Sequence, residues 1–129
     1  MVTAIIARDA YKTELVTGGH QLLADEPLEV GGKNLGPGPG EYLLISLASC
    51  TAITLRMYAD RKQWPVEKIR VELSSEKIEG TTVFTRHIYF EGTLDPAQRD
   101  RLLQIANACP VHKTLTSPIE IKTEVKPNH

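Results

Sequence analysis

The chain has 129 residues, 15 basic and 16 acidic side chains mixed along its length, and a formal charge of −1. That length fits one domain with a single two-layer core, and the balanced charge leaves no basic stripe to neutralise phosphates or anchor a membrane surface. No nucleic acid and no membrane is therefore expected as a partner, and two cysteines without a secretory pattern point to a cytoplasmic protein.

Residues 2–8 and 11–16 have the composition of short strands, with Asp9 and Ala10 as a tight connection between them. Gly18-Gly19 marks a turn, and residues 20–24 return as a third strand. Such a small antiparallel meander is marginal alone and needs a helix to cover it. The next segment, PLEVGGKNLGPGPG, holds five of the nine glycines and three of the eight prolines, which excludes helix and central strand. Two readings stay open for it: a surface connection, or a shaped loop lining a pocket at the start of the following helix. The spacing of a phosphate-binding P-loop is missing.

The longest apolar run, EYLLISLASCTAITLRMY over residues 41–58, contains Cys50. Leu43, Leu47, Cys50 and Thr54 follow the helical period on one side, and Leu44, Ala48, Ala52 and Leu55 form a second stripe. Apolar residues nearly all round predict a buried central helix. Glu41, Arg56 and several hydroxyls are expected to keep it short of a membrane span. Pro65 fixes its exit.

Residues 68–74 alternate as a half-buried strand, and residues 81–90 form a second, with Glu79-Gly80 in the turn. Arg86 shares a face with Phe84 and Ile88, so its guanidinium either reaches the sheet margin or is paired inside. Asp95, Pro96 and Gln98 then spell a helix start: N-cap, first position and capping box. Pro110 limits this helix to about Cys109, and PVHKTLTS follows as a polar connection. IEIKTEV, residues 119–125, alternates as a last strand. The order is βββ-α-ββ-α-β, an α+β class with antiparallel sheets packed on two helices.

Neither cysteine lies in a CxxC motif. Cys50 falls far from the positive end of its helix, and Cys109 falls at a helix C-terminus, where the dipole disfavours a thiolate. A reactive Cys50 therefore needs a cation brought by tertiary structure. Arg56 is about 600° further round the same helix and off that face, while Arg8 and Arg86 sit on strands and are freer to approach. Two inert core cysteines and a redox pair both remain open. A metal set from Cys109, His112, Cys50 and His87 lacks the close ligand pairs of soft zinc sites. His112 is read as an exposed or supporting residue, and His20 and His129 as a turn residue and a tail.

GPGPGEYLLISLASCTAITLRMYADRKQWP followed by LDPAQRDRLLQIANACPVHKTL closely resembles the osmotically inducible protein C and organic hydroperoxide resistance (OsmC/Ohr) superfamily. HQLLADEP with Gly31-Gly32 resembles its small, general OsmC-like branch. The likeness spans residues 3–125 and implies a single OsmC-like domain over 1–129, in an intertwined homodimer that shares sheets between subunits. It also implies a thiol peroxidase that reduces an organic hydroperoxide substrate to an alcohol. Cys50 would be the attacking thiolate and Cys109 the resolving one, with a dithiol or lipoylated protein as reductant. Neither a cofactor nor a metal is implied. The place of the family's catalytic glutamate is taken by Gly40, with Glu41 beside it, and Arg8 is the nearest candidate for its activating arginine. On a regular helix Glu41 and Cys50 face opposite sides. The alternative is a non-catalytic small-ligand or stress-response dimer that keeps the fold. A cysteine hydrolase pairing Cys50 with His87 or His112 would need a histidine beside the sulfur.

Overall fold

The computed structural model describes residues 1–127, so the tail expected at His129 lies outside the described residues. The chain clusters into two compact units, Met1–Ser46 and the remainder from Leu47. A long helix, α1 (Pro39–Lys62), begins in the first and continues through the second.

The first unit is an antiparallel meander of β1 (Thr3–Ile5), β2 (Thr13–Thr17) and β3 (His20–Ala24). Register runs Thr3 to Val16 and Thr17 to His20. The β2–β3 hairpin closes through Gly18 and Gly19, whose φ angles of 53° and 81° are the pair a two-residue primed turn demands. β1 is shorter than its composition predicts, and residues 6–12 form a longer connection than a tight turn. The cause lies downstream, in Asp25. This buried carboxylate accepts the backbone N–H groups of Tyr11, Glu26, Lys33 and Leu35 at 2.7–3.3 Å. Lys33 also reaches Asp9 at 2.5 Å. The Gly-rich segment contains one short 3-10 turn, Leu28–Val30, and then wraps around this carboxylate. Asp25 pulls it so close that a Cβ on Gly32 would strike the Glu26 carbonyl, and one on Gly36 the Leu23 carbonyl. Tyr42, in the first turn of α1, closes the unit by donating its hydroxyl to the Leu23 carbonyl at 2.6 Å.

The second unit packs α1 against a long hairpin, β4 (Val66–Ile78) and β5 (Thr81–Gly92), and against α2 (Pro96–Asn107). Leu55, Tyr58, Leu102 and Ala106 form the core, with Trp64, Ile69, Ile88 and Phe90 against them. α2 starts as its sequence dictates: the Asp95 carboxylate accepts from Gln98 N–H at 2.7 Å, and the Gln98 side chain accepts from Asp95 N–H at 2.9 Å. Along β5 the inward face is Phe84, Arg86, Ile88 and Phe90, each half-buried, while Thr85, His87 and Tyr89 face out.

Five expectations need correction. PVHKTL is a helix, α3 (Pro110–Leu115), because Pro110 pre-sets its first turn and Cys109 caps it. α2 accordingly stops at Asn107, ahead of Cys109. IEIKTEV pairs with neither sheet, so the expected last strand is unpaired here, with Ile119, Ile121 and Val125 exposed. α1 is buried along one stripe only (Leu47, Thr51, Leu55, Tyr58, Ala59), while Leu43, Ile45, Ile53 and Met57 are exposed. By length and composition alone α1 would suffice to cross a membrane, contrary to the sequence expectation. Its polar side chains, however, are engaged by neighbouring protein: Arg56 with Asp60 and the Val66 carbonyl, and Thr51 with Arg86.

Candidate active site

The second unit brings both cysteines together. Cys50 projects from the middle of α1, half-buried, and Cys109 is wholly buried at the α2–α3 junction. Both are free thiols, and the Cys50 side chain lies near enough to Cys109 to favour its thiolate. Cys50 also lies 3.9 Å from the Thr54 hydroxyl, one turn further along α1.

Around Cys109 the polar groups are denser. The His112 backbone N–H donates to Cys109 Sγ at 3.4 Å, because the sulfur occupies the N-cap position of α3. The Thr51 hydroxyl lies 3.9 Å from the same sulfur and donates to the Leu47 carbonyl at 2.6 Å. A hydroxyl has one proton, so Thr51 serves either the Leu47 carbonyl or a Cys109 thiolate, never both at once. Arg86 donates from Nη1 to Thr51 Oγ1 at 2.9 Å, and from Nη2 to Asn107 Oδ1 at 2.9 Å. His112 Nδ1 stands 3.2 Å from the same Nη2.

These contacts act in opposite directions on the Cys109 thiol. Burial pushes it up, but the His112 N–H, the Cys50 and Thr51 side chains and the Arg86 charge outweigh burial and bring it below the ordinary thiol range. The sequence expectation that a helix C-terminus disfavours a Cys109 thiolate is thus overturned, because the residue begins a helix and does not end one. Burial and the Arg86 charge both lower His112, which keeps its ring neutral and Nδ1 able to accept from the guanidinium.

Arg86 and His112 also line a cavity of about 360 Å³, whose other walls are Leu47, Phe84 and Leu115 with the hydroxyls of Thr82 and Thr116. Its lining is mainly apolar, with one cationic corner. Neither sulfur lines it; Arg86 and His112 connect it to Cys109.

Glu41 and Arg8 belong to the first unit. The Glu41 carboxylate accepts the Gly38 N–H at 2.9 Å at the start of α1, and Arg8 is exposed in the connection after β1. His87 faces outward, away from the inward row of β5. Among the described residues, no three His, Cys, Asp or Glu side chains converge in a metal-binding group.

Thr51, Asn107 and the backbone of His112 are the members of this cluster that sequence reasoning passed over. Thr51 carried a signal, as a hydroxyl centred on the most buried stripe of α1, one turn before Leu55. Arg86 carried another, as a charge on the apolar face of β5.

Two adjacent free thiols, one of them ringed by hydrogen-bond donors and a guanidinium, define a dithiol protein built on an α+β scaffold. Residues 31–124 match the family described as OsmC-like protein, and the chain belongs to that family. No curated protein sequence matches it. Its fold is that of solved OsmC-like structures. The OsmC-like protein of Mycoplasma pneumoniae is 20% identical, with 89% of this chain and 85% of that one covered at a TM-score of 0.75. The organic hydroperoxide resistance protein OsmC of Legionella pneumophila is 20% identical over 90% and 88%, at 0.64. The organic hydroperoxide resistance protein OhrB of Bacillus subtilis is 21% identical over 98% and 96%, at 0.60.

Proposed function

We propose that this protein is a thiol-dependent peroxidase of organic hydroperoxides, acting in oxidative-stress defence. The observation that carries the reading is the placement of Cys109 beside α1, its sulfur 3.9 Å from the hydroxyl of Thr51, the residue that follows Cys50, with Arg86 and His112 joining Cys109 to an apolar cavity. Cys50, the more accessible sulfur, attacks the distal peroxide oxygen as thiolate. The O–O bond breaks, the alkoxide takes a proton and leaves as alcohol, and Cys50 becomes a sulfenic acid. Cys109 then attacks the Cys50 sulfur and displaces the hydroxyl as water, closing a disulfide. A dithiol, free or carried on a lipoylated protein, restores the thiols. The mainly apolar cavity favours alkyl hydroperoxides over hydrogen peroxide, since each buried methylene contributes about 0.8 kcal/mol.

Arg86 is the cation that the geometry offers this site, whereas the family resemblance offers Arg8 as the cation and Glu41 as the carboxylate. The working form is a cytoplasmic homodimer of one OsmC-like domain per chain. The exposed apolar side of α1 and the unpaired, alternating segment 119–125 support this, because a second copy would cover both. Light scattering should give twice the chain mass, and Ile121→Asp should lower it.

The test is peroxide consumption with cumene hydroperoxide and dihydrolipoamide. Cys50→Ser should abolish turnover with the fold intact, and turnover that survives it would refute the assignment. One observation favours a second reading, a non-catalytic small-ligand-binding dimer: the cavity lining includes neither sulfur. That reading predicts ligand binding unaffected by Cys50→Ser and no peroxide consumption by the wild type.

A further inference from the structure

The two sulfurs of this pair are not equivalent, and the difference bears on how the oxidised protein is reduced. Cys50 is partly exposed, and the Thr54 hydroxyl lies 3.9 Å from its sulfur. Cys109 has no exposed surface, yet it receives the His112 N–H at 3.4 Å and faces the Thr51 hydroxyl at 3.9 Å. Behind Thr51 stands Arg86, which among the described residues hydrogen-bonds three neighbours, Thr51, Asn107 and His112, all neutral. A half-buried guanidinium whose hydrogen-bond partners here are neutral is poised for an anion, and the Cys109 sulfur is one whose charge it senses.

We propose that reduction of the Cys50–Cys109 bridge has a fixed direction: the incoming thiol attacks Cys50, and Cys109 departs as thiolate into the donors of His112, Thr51 and Arg86. The proposal rests on the redox reading of the thiol pair. In the step itself, a thiolate of the dithiol bonds to Cys50 Sγ, the Cys50–Cys109 bond breaks, and its electron pair stays on Cys109 Sγ. The second thiol of the reductant then attacks its own bridged sulfur. This frees Cys50, which takes a proton, and leaves the reductant as a disulfide oxidised by two electrons. Two physical rules favour this direction. Attack goes to the sulfur that a nucleophile can reach, and the better-stabilised thiolate leaves faster.

Thr51 acts as the switch in this scheme. With Cys109 bridged or protonated, the Thr51 proton rests on the Leu47 carbonyl; with Cys109 as thiolate, it can turn to the sulfur, while Arg86 continues to donate to the Thr51 oxygen. Thr51 and Arg86 are therefore positioning residues for the leaving group.

The experiment starts from wild-type protein whose bridge is closed with diamide, so it does not depend on peroxide. A brief pulse of 2-mercaptoethanol, which cannot complete the second step within one molecule, is quenched in acid. Peptic peptides are then weighed for the mixed disulfide. The adduct should fall on Cys50 in roughly tenfold excess over Cys109. Thr51→Val and Arg86→Met should draw that ratio toward parity, and Thr51→Ser should restore it, which a merely structural role for Thr51 would not produce. An even split or a Cys109 adduct in the wild type would overturn the proposal, as would failure of diamide to close the bridge. A protein that shows the asymmetry but leaves organic hydroperoxides untouched refutes the peroxidase reading alone.

Discussion

Arg86 donates to the Thr51 hydroxyl at 2.9 Å, bridging the middle of β5 to the residue that follows Cys50 on α1. The Thr51 hydroxyl is saturated by this bond, its own donation to Leu47 and the neighbouring Cys109 sulfur. Thr51→Val removes an acceptor from a half-buried guanidinium, and by the usual cost of an orphaned polar group it should destabilise the protein by about 1–3 kcal/mol in urea unfolding. Thr51→Ser should recover most of that loss. Equal stability of Thr51→Val and wild type would mean that the Arg86–Thr51 bond is replaced by water.

Leu102 is fully buried against Leu55, Tyr58 and Ala106, whereas its neighbour Leu103 is 57% exposed. Leu102→Ala should cost about 2–5 kcal/mol, by the transfer and cavity terms together. Leu103→Ala should stay within about 0.5 kcal/mol, as surface substitutions do. Denaturant midpoints of the two variants give the comparison directly.

Asp25 holds the Gly-rich segment through four backbone N–H groups. Burial raises its carboxyl, but those four bonds outweigh burial and hold it below the ordinary carboxylate value. A carboxylate depressed on folding contributes stability that is present above its unfolded pKa and is lost as pH falls through the folded one. The wild type should therefore lose stability on acidification below the ordinary carboxylate range. Asp25→Asn should be less stable at neutral pH and show a shallower acid loss. Thermal melts from neutral pH down to about pH 3 test both signs.

Much of the fold was legible because its signals are local. Asp95, Pro96 and Gln98 name a helix start without help from elsewhere, and Gly18-Gly19 names a hairpin. Alternation over 81–90 put Arg86 on the apolar face of β5. The misreadings come from contacts distant in sequence. Nothing near residues 6–12 announces that Asp25 will bind the Tyr11 N–H and turn a short connection into a long one. Pro110 alone signals a helix stop and a helix start equally, since proline suits the first helical position, and only the fold decides whether Cys109 ends one helix or caps the next. The polar shell of the thiol pair draws on α1, β5, α2 and α3 together, and spacing along one element cannot reveal such a convergence.

Gly32 and Gly40 offer a paired test of the loop. A Cβ on Gly32 would collide with the Glu26 carbonyl, a backbone atom that Asp25 holds in place, while one on Gly40 meets nothing within 4 Å. Gly32→Ala should destabilise the protein clearly in thermal melts. Gly40→Ala, in the first turn of α1, should be neutral or stabilising by up to about 1 kcal/mol.

If Cys50 and Cys109 act as the proposed redox pair toward organic hydroperoxides, free-thiol titration followed by mass measurement will show it. Reduced protein mixed with one equivalent of cumene hydroperoxide should lose both thiols rapidly, with a mass decrease of about 2 Da as the disulfide closes. Thiols that persist under excess hydroperoxide would refute the redox pair and leave the cavity beside Arg86 as the functional site.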